Sequence, residues 1–379
     1  MNKRVLLAFT TFKDSMSAVE VCNVVEGKLL EIDSSLKITK IPLSDGGEGF
    51  LHTVENAFCG IEGSQFRYGR LEAIDPLGNM RNAEYGILEM NGDSIGVIEM
   101  AAMSGIEFVP FENRHPNFTT SHGTGQAILH LYSHENIRKI LLGIGGSATV
   151  DAGISLLYAL NCLEFEFEGG NPEFVTGKDL RRLKQILLSE NSEILQELEI
   201  TIACDVNNPL LGPRGATYVF GPQKGLKQDE LEYYEETIKI ISEKLKEIKN
   251  KDDIDVFPGS GAAGGIAAGL KSCFNKVKIE KGIDMIAETL RLNEIIQDFD
   301  YVFTGEGRYD QQTAGGKPVS KIKELVTNPI IICGMNSSEE TFRVYDLASR
   351  FGKEHSMKNT KQCLELITQE IYENEIRPY

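Results

Sequence analysis

Apolar positions follow two different rhythms along this chain. Val5 to Phe9 is a short unbroken apolar run, the pattern of a strand covered on both faces. Ala18, Val21, Cys22, Val25 and Leu29 then recur at helical spacing, with Ser17 and Glu20 placed for a capping box and Ser15 an equally good cap. Leu36 to Leu43 reads as the next strand, and Leu51, Val54 and Phe58 mark one face of a second helix. Alternation of this kind predicts a parallel sheet covered by helices.

The middle has another texture. Residues 66–112 predict short strands and turns, among them Asp75-Pro76-Leu77-Gly78 and Ile95 to Glu99. A helix over about Gly123 to Ser133, a strand over Lys139 to Ile144 and a helix from Asp151 follow. Arg181 to Ile200 reads as a polar helix and Glu199 to Cys204 as a strand. Gln228 to Asn250 reads as a long charged helix with a solvated face. Residues 258–270 are rich in Gly and Ala, which suits close backbone packing or a ligand loop. Toward the end, Tyr301 to Thr304 and Pro329 to Cys333 are short buried strands, and Cys363, Ile367 and Ile371 give a last amphipathic helix. The expected organisation is one parallel α/β domain built from both chain ends, 1–65 and 290–379, with 66–289 inserted as a second α/β domain.

Composition narrows the classes. The 379 residues are enough for two domains, and 41% hydrophobic with 25% charged residues is ordinary for a globular protein. Against 39 Lys and Arg stand 56 Asp and Glu, a net charge of −17. That balance argues against a general nucleic-acid or anionic-membrane partner. There is no apolar run long enough to span a membrane, and Val5 to Phe9 is too short for a signal-peptide core. None of the 7 cysteines forms a Cys-x-x-Cys pair, so reduced, buried thiols in a cytoplasmic protein are expected.

Three glycine-framed polar segments, with Asp205, carry the candidate chemistry. Pro42-Leu43-Ser44-Asp45-Gly46-Gly47-Glu48-Gly49 sets two carboxylates among three glycines between a strand and a helix, where a metal or a proton can be held. Gly143-Ile144-Gly145-Gly146-Ser147-Ala148-Thr149-Val150-Asp151 reads equally as a phosphate cradle or a tight strand–helix turn. It lacks the Lys-Ser/Thr ending of a Walker A loop. It matches G-x-G-x-x-A by letter, with acids following at Glu164 and Glu166 as a dinucleotide site needs. Asp205 ends a strand, a place for a general base, a metal ligand or a plain Asx turn. Thr304-Gly305-Glu306-Gly307-Arg308-Tyr309-Asp310 packs Glu, Arg and Asp into a loop after a strand, which suits anion recognition. Lys13 and Lys224 lie in other loops, where each is either a phosphate partner or ordinary surface. His130 and His134 share a helix face at zinc-ligand spacing, but no third ligand accompanies them, so they read as surface histidines. Carboxylates, lysines and glycine loops together are the parts of Mg²⁺-dependent phosphoryl transfer and also of a metal-dependent hydrolase.

In order along the chain, these segments resemble the bacterial glycerate kinase family of the glycerate 2-kinase type. The resemblance runs through Phe12-Lys13, Ser15-Met16-Ser17-Ala18, Pro42 to Gly49, Asp75 to Gly78, Glu99-Met100-Ala101-Ala102 and Thr119 to Gly125. It continues through Gly143 to Asp151, Ala203 to Leu210, Phe220 to Gly225, Gly261 to Gly265 and Thr304 to Asp310. It implies a flavodoxin-like parallel domain and an inserted restriction-endonuclease-like domain, with ATP-dependent phosphorylation of D-glycerate in a cleft between them. Mg²⁺ is the implied metal, 2-phosphoglycerate the favoured product, and a monomer or homodimer the expected assembly. In that reading Lys13, Lys224 and Arg308 neutralise charge, and Asp205 or Asp45 accepts the hydroxyl proton while the other helps hold Mg²⁺. Asp310 joins the metal shell, Glu306 orders the site, and Gly46, Gly47, Gly145, Gly146, Ser147 and Thr149 hold phosphate or substrate.

The chain departs from the family pattern at several places. Thr10, Thr11 and Asp14 replace the Asp, Ser and Gly of Asp-Ser-Phe-Lys-Gly, and Val150-Asp151-Ala152-Gly153 stands for Asn-Asp-Gly-Gly. Phe50 takes the place of a Thr, and His122 that of a Tyr or Phe. Two other readings accommodate these changes: a kinase for another small 2-hydroxy acid, and a catalytically weak glycerate-binding sensor.

Overall fold

The structure, a computed structural model, describes residues 3–12, 15–44, 46–58, 63–90, 92–190, 192–249, 251–289, 292–309 and 318–377, with backbone alone at 283, 286, 288 and 289. The chain divides into two compact units, Met1–Gly60 with Lys281–Tyr379, and Ile61–Glu280. In chain order the first unit begins with β1 (Arg4–Phe9) and β2 (Lys37–Lys40). The second holds β3 (Ser64–Ile74), β4 (Met80–Met90), β5 (Asp93–Glu99), β6 (Lys139–Gly143), β7 (Leu163–Phe167), β8 (Leu183–Leu188), β9 (Glu199–Ala203) and β10 (Lys276–Glu280). The chain then returns to the first with β11 (Tyr301–Tyr309), β12 (Ile330–Asn336) and β13 (Val344–Asp346).

The first unit is a parallel sheet in the order β13-β12-β11-β1-β2. Counted within the unit this is 2-1-3-4-5, the order of doubly wound sheets of the flavodoxin kind. The apolar run of β1 serves both faces. Val5, Leu7 and Phe9 pack with Val21, Val25, Leu364 and Ile367 of helices Ala18–Ile32 and Thr360–Ile371. Leu6 and Ala8 pack on the other side with Leu43, Ile296 and Ile322. Helix Ala18–Ile32 starts at Ser17 rather than Ser15. The Ser17 Oγ accepts the Glu20 amide at 3.3 Å, and Glu20 accepts the Ser17 amide at 2.9 Å. Regular β2 is shorter than the apolar run suggests, but Ile41 and Leu43 still donate to Leu7 and Phe9 of β1, at 2.9 and 2.8 Å.

The second unit is a mixed sheet in the order β10-β9-β6-β5-β4-β3. β3, β4 and β5 form an antiparallel meander, and β5, β6, β9 and β10 run parallel. Strands β3 and β4 are 11 residues each, longer than the expected short strands. The Asp75–Gly78 turn joins them, with Asp75 Oδ1 accepting the amides of Leu77 and Asn79 at 2.8 and 2.9 Å. The polar helix expected over 181–200 is absent. Gly177–Arg182 is a 3₁₀ segment, β8 follows, and helix Ile194–Glu197 is one turn. β8 pairs antiparallel with β7 outside the main sheet, burying Leu183 and Ile186 against Phe165 and Phe167. Helix Leu231–Lys249 is amphipathic as well as charged, burying Leu231, Tyr234, Ile238, Ile241 and Leu245. Cys22, Cys162, Cys204, Cys273, Cys333 and Cys363 are buried free thiols, and Cys59 lies outside the described residues. Among the described residues no helix is long and apolar enough to cross a membrane.

Candidate active site

Ligands of parallel α/β sheets sit at the carboxyl ends of the strands, so each unit has one edge to examine. In the first unit, Thr10, Ser44 and Glu306 each follow residues paired across β1, β2 and β11. Gly46 then turns with φ +86°, its amide donating to Ser44 Oγ at 3.2 Å, and Gly46 and Gly47 are both buried. Asp45, between Ser44 and Gly46, lies outside the described residues, as do Lys13, Asp14 and Asp310.

Glu306 and Arg308 do not sit in a loop, as their flanking glycines suggest. Both belong to β11, paired with Cys333 and Met335 of β12. Gly305 is required by sheet packing, because a Cβ there would lie 1.8 Å from the Ile332 carbonyl oxygen. Glu306 is buried and Arg308, two residues further along the same face of β11, is exposed. In register, Glu306, Cys333 and Asp346 form a row across β11, β12 and β13. Burial first, then the Asp346 and Glu306 carboxylates, push the Cys333 thiol far above its usual range. Asp346 caps helix Leu347–Phe351 through the Ser349 amide at 3.1 Å. Tyr309 at the end of β11 donates to Glu340 at 2.5 Å and accepts from Lys323 at 2.8 Å.

In the second unit, Glu99, Gly143, Ala203 and Glu280 stand in one row across β5, β6, β9 and β10. The Gly145–Thr149 loop and Asp205 emerge beyond Gly143 and Ala203 on neighbouring strands. Gly145 is half-buried and Gly146 exposed, with φ +71°. The loop is pinned from several sides. Ile106 donates to the Gly146 carbonyl at 2.8 Å, Ala148 to the Ser104 carbonyl at 2.9 Å, and Thr119 Oγ1 to the Ala148 carbonyl at 3.0 Å. Gly264 approaches so closely that a Cβ on it would lie 2.0 Å from the Thr149 carbonyl oxygen.

Lys224, read as either a phosphate partner or ordinary surface, is 3% exposed. It ends the 3₁₀ turn Pro222–Lys224, and its ammonium donates to Ser147 Oγ and the Thr149 carbonyl, each at 2.7 Å. Burial pulls its pKa down to about 7, although Asp151 nearby favours the charged form. Asp151 itself is buried. Its carboxylate accepts Ser121 Oγ at 3.0 Å, the Gly153 amide at 3.0 Å and the Ser155 amide at 3.4 Å. This makes it an anchor of the turn rather than an exposed acid. The hydroxyl run Thr119-Thr120-Ser121 that supports the loop was visible in the sequence only as part of the family pattern.

Two other arrangements fall away. Glu164 and Glu166 are the exposed positions of β7, which among the described residues pairs only with β8. They therefore do not follow the glycine loop into the next strand of the same sheet, as a dinucleotide fold requires. His130 and His134 stack at 4.9 Å, and His130 lies 3.1 Å from the Tyr85 hydroxyl. Among the described residues no group of three or more His, Cys, Asp or Glu side chains could hold a metal.

Parallel strands ending in glycine turns, hydroxyls and carboxylates define an α/β protein whose loops suit a small anionic ligand. The model of the glycerate kinase family matches residues 5–374. The chain is similar to the Escherichia coli K12 glycerate 2-kinase, 37% identical over 332 residues, covering 86% of this chain and 84% of that protein. It is 36% identical to the glycerate kinase of Halalkalibacterium halodurans over 331 residues, covering 86% and 84% of the two chains. A Salmonella typhimurium LT2 protein, whose crystal structure is described as a glycerate kinase 2, superposes with a TM-score of 0.73 at 32% identity. That match covers 98% of this chain and 97% of the other. This chain belongs to the glycerate kinase family.

Membership gives the departures a structural meaning. Phe50, in the place of a Thr, is fully buried at the start of helix Phe50–Phe58. His122, in the place of a Tyr or Phe, lies 6.2 and 6.5 Å from the rings of Tyr158 and Phe174, and burial pulls its pKa down to about 4. It fills the position as a neutral ring. Thr10, in the place of an Asp, donates to the Gly305 carbonyl.

Proposed function

We propose that this chain is a cytoplasmic, ATP-dependent D-glycerate kinase forming 2-phosphoglycerate. The observation that carries this reading is the match of the glycerate kinase family model over nearly the whole chain. The strand-end placement of the Gly145–Thr149 loop beside Asp205 supports it.

In the second unit the Gly145–Thr149 loop, and in the first the Gly46-Gly47 turn, each offer backbone amides or hydroxyls to phosphate or substrate oxygens. Asp205 accepts the proton of the reacting hydroxyl. Lys13 and Arg308 bring positive charge to carboxylate or phosphoryl oxygens, and the buried Glu306 orders the edge on which Arg308 stands. Mg²⁺, when bound, would be held by carboxylate oxygens, the hard donors it prefers. Asp205 in the second unit and, in the first, Asp45 and Asp310, which lie outside the described residues, are the carboxylates proposed for that role. When bound, Mg²⁺ neutralises phosphoryl charge.

The direct test is ADP formation with D-glycerate and other small 2-hydroxy acids, with the product identified by ³¹P NMR. D-glycerate should be the best acceptor and 2-phosphoglycerate the product. Binding of D-glycerate without turnover would leave a sensor, and preference for another acid would change the substrate. Asp205→Asn should lower kcat by roughly 10²- to 10⁴-fold with folding intact by circular dichroism. Unchanged kcat would remove Asp205 from the mechanism.

A further inference from the structure

Lys224 carries a charge next to the glycine loop, yet its side chain is enclosed. Lys224 is 3% exposed and Ser147 5%, and the Lys224 ammonium is already engaged, donating to Ser147 Oγ and the Thr149 carbonyl at 2.7 Å each. An ammonium has donors and no acceptor, whereas a serine hydroxyl has one hydrogen to give and lone pairs to receive. Ser147 Oγ is therefore the acceptor in this bond, and its own hydrogen remains available. Among the described residues no other hydrogen bond engages Ser147 Oγ. Two residues on, the buried Thr149 hydroxyl also lacks a partner among the described residues. Ser147 adjoins Gly146, the exposed residue of the loop.

We propose that Lys224 acts on a bound anion through Ser147. The ammonium fixes the serine oxygen as an acceptor, so that the Ser147 hydroxyl donates to a phosphoryl or carboxylate oxygen at the Gly145–Gly146 turn. Lys224 is thus a positioning residue and Ser147 the contacting one. This rests on reading the loop as an anion site. A lysine behind a serine both orients the hydroxyl and strengthens it as a donor, because a hydroxyl that accepts from a cation gives its hydrogen more readily. The titratable group that acts on Lys224 is Asp151, which favours its charge, and Asp151 with burial also keeps the Tyr234 hydroxyl protonated.

The experiment uses the full chain with Ser147→Ala, Lys224→Met and the double variant. D-glycerate, ATP and sulfate are titrated by calorimetry between pH 6 and 8.5, with kcat and KM measured alongside. Ser147→Ala should weaken the anion it contacts roughly tenfold or more, and whether D-glycerate or ATP suffers identifies the source of the oxygen. The double variant should bind no more weakly than Lys224→Met alone. D-glycerate and sulfate do not titrate in this range, so the wild-type affinity for the one bound here should fall as pH rises through about 7. Ser147→Ala should flatten that slope. Additive losses in the double variant, wild-type affinity for all three anions in Ser147→Ala, or no binding of any of them by the wild type would each overturn the proposal. If Lys224→Met does not fold, the pH slope of Ser147→Ala decides. Failure of the glycerate kinase reading shows separately, as absent phosphorylation of D-glycerate with the ATP and sulfate titrations still readable.

Discussion

The Thr10 hydroxyl donates to the carbonyl of Gly305 at 3.2 Å, and the Thr10 amide donates to the same oxygen at 2.9 Å. Where the family pattern has an acid, this chain ties the end of β1 to β11 just ahead of Glu306. Restoring the acid should therefore cost stability. A carboxylate at this position has no hydrogen to give and would face a carbonyl. Thr10→Val should lose about 1 kcal/mol and Thr10→Asp about 2 kcal/mol or more, read from urea unfolding of the first unit. A Thr10→Asp protein as stable as wild type would show that the edge tolerates the family's residue.

Ala152 holds φ +52°, a backbone conformation that suits glycine, and the family pattern has glycine there. A side chain in the left-handed region costs about 1–2 kcal/mol. Ala152 is fully buried, so its methyl recovers part of that through contacts with its surroundings. Ala152→Gly should be neutral or stabilising by up to about 1 kcal/mol, the opposite sign from an alanine-to-glycine change inside a helix. A loss above that size in a thermal or urea transition would contradict the strain.

What the sequence discloses follows from where the deciding partners lie. The parallel sheet of the first unit is readable because covering both faces of β1 makes Val5 to Phe9 apolar without interruption. The β8 segment is not readable in this way. Leu183-Lys184-Gln185-Ile186-Leu187-Leu188 carries helical spacing at Leu183, Ile186 and Leu187, and pairing with β7 across an irregular register makes it a strand instead. Gly305 and Gly307 suggest a loop around Glu306, whereas Gly305 is demanded by the approach of the Ile332 carbonyl. Lys224 sits in turn-forming sequence, and the partners that bury it are 77 and 75 positions away. Distant packing of that kind leaves no local signal.

His122 provides a pH test in the acid range. Its pKa falls from 6.5 to about 4 in the folded state because burial penalises the charged ring. Between those values the unfolded chain binds the extra proton. Stability should therefore rise with pH from about 4 to 6.5, and this contribution is lost as pH falls through that window. The size is up to about 3 kcal/mol. His122→Phe keeps an aromatic ring beside Tyr158 and Phe174 and removes the titration. Its stability curve should be flatter across this window than that of wild type. Parallel curves for the two proteins would place the acid sensitivity elsewhere.

Lys224 gives the opposite range its own signature. Its pKa is about 7 when folded against an ordinary 10.5, so between these values the unfolded chain again binds more protons. Stability should rise with pH above 7, by about 1.4 kcal/mol per pH unit from this group at full effect. Lys249 and Lys251, lowered by burial, act in the same sense. Buried thiols set the upper limit. Cys22 and Cys162 are pushed up to about 12 and Cys273 to about 11, so above their ordinary 9.0 the unfolded chain sheds protons first and stability falls. The window for Lys224 is therefore pH 7 to 9. Wild type should gain about 2–3 kcal/mol across it, and Lys224→Met should lose most of that rise, both measured by urea unfolding at fixed ionic strength. A Lys224→Met curve with the wild-type slope would mean that the ammonium stays charged when folded, with Asp151 and the Ser147–Thr149 turn outweighing the cost of burial.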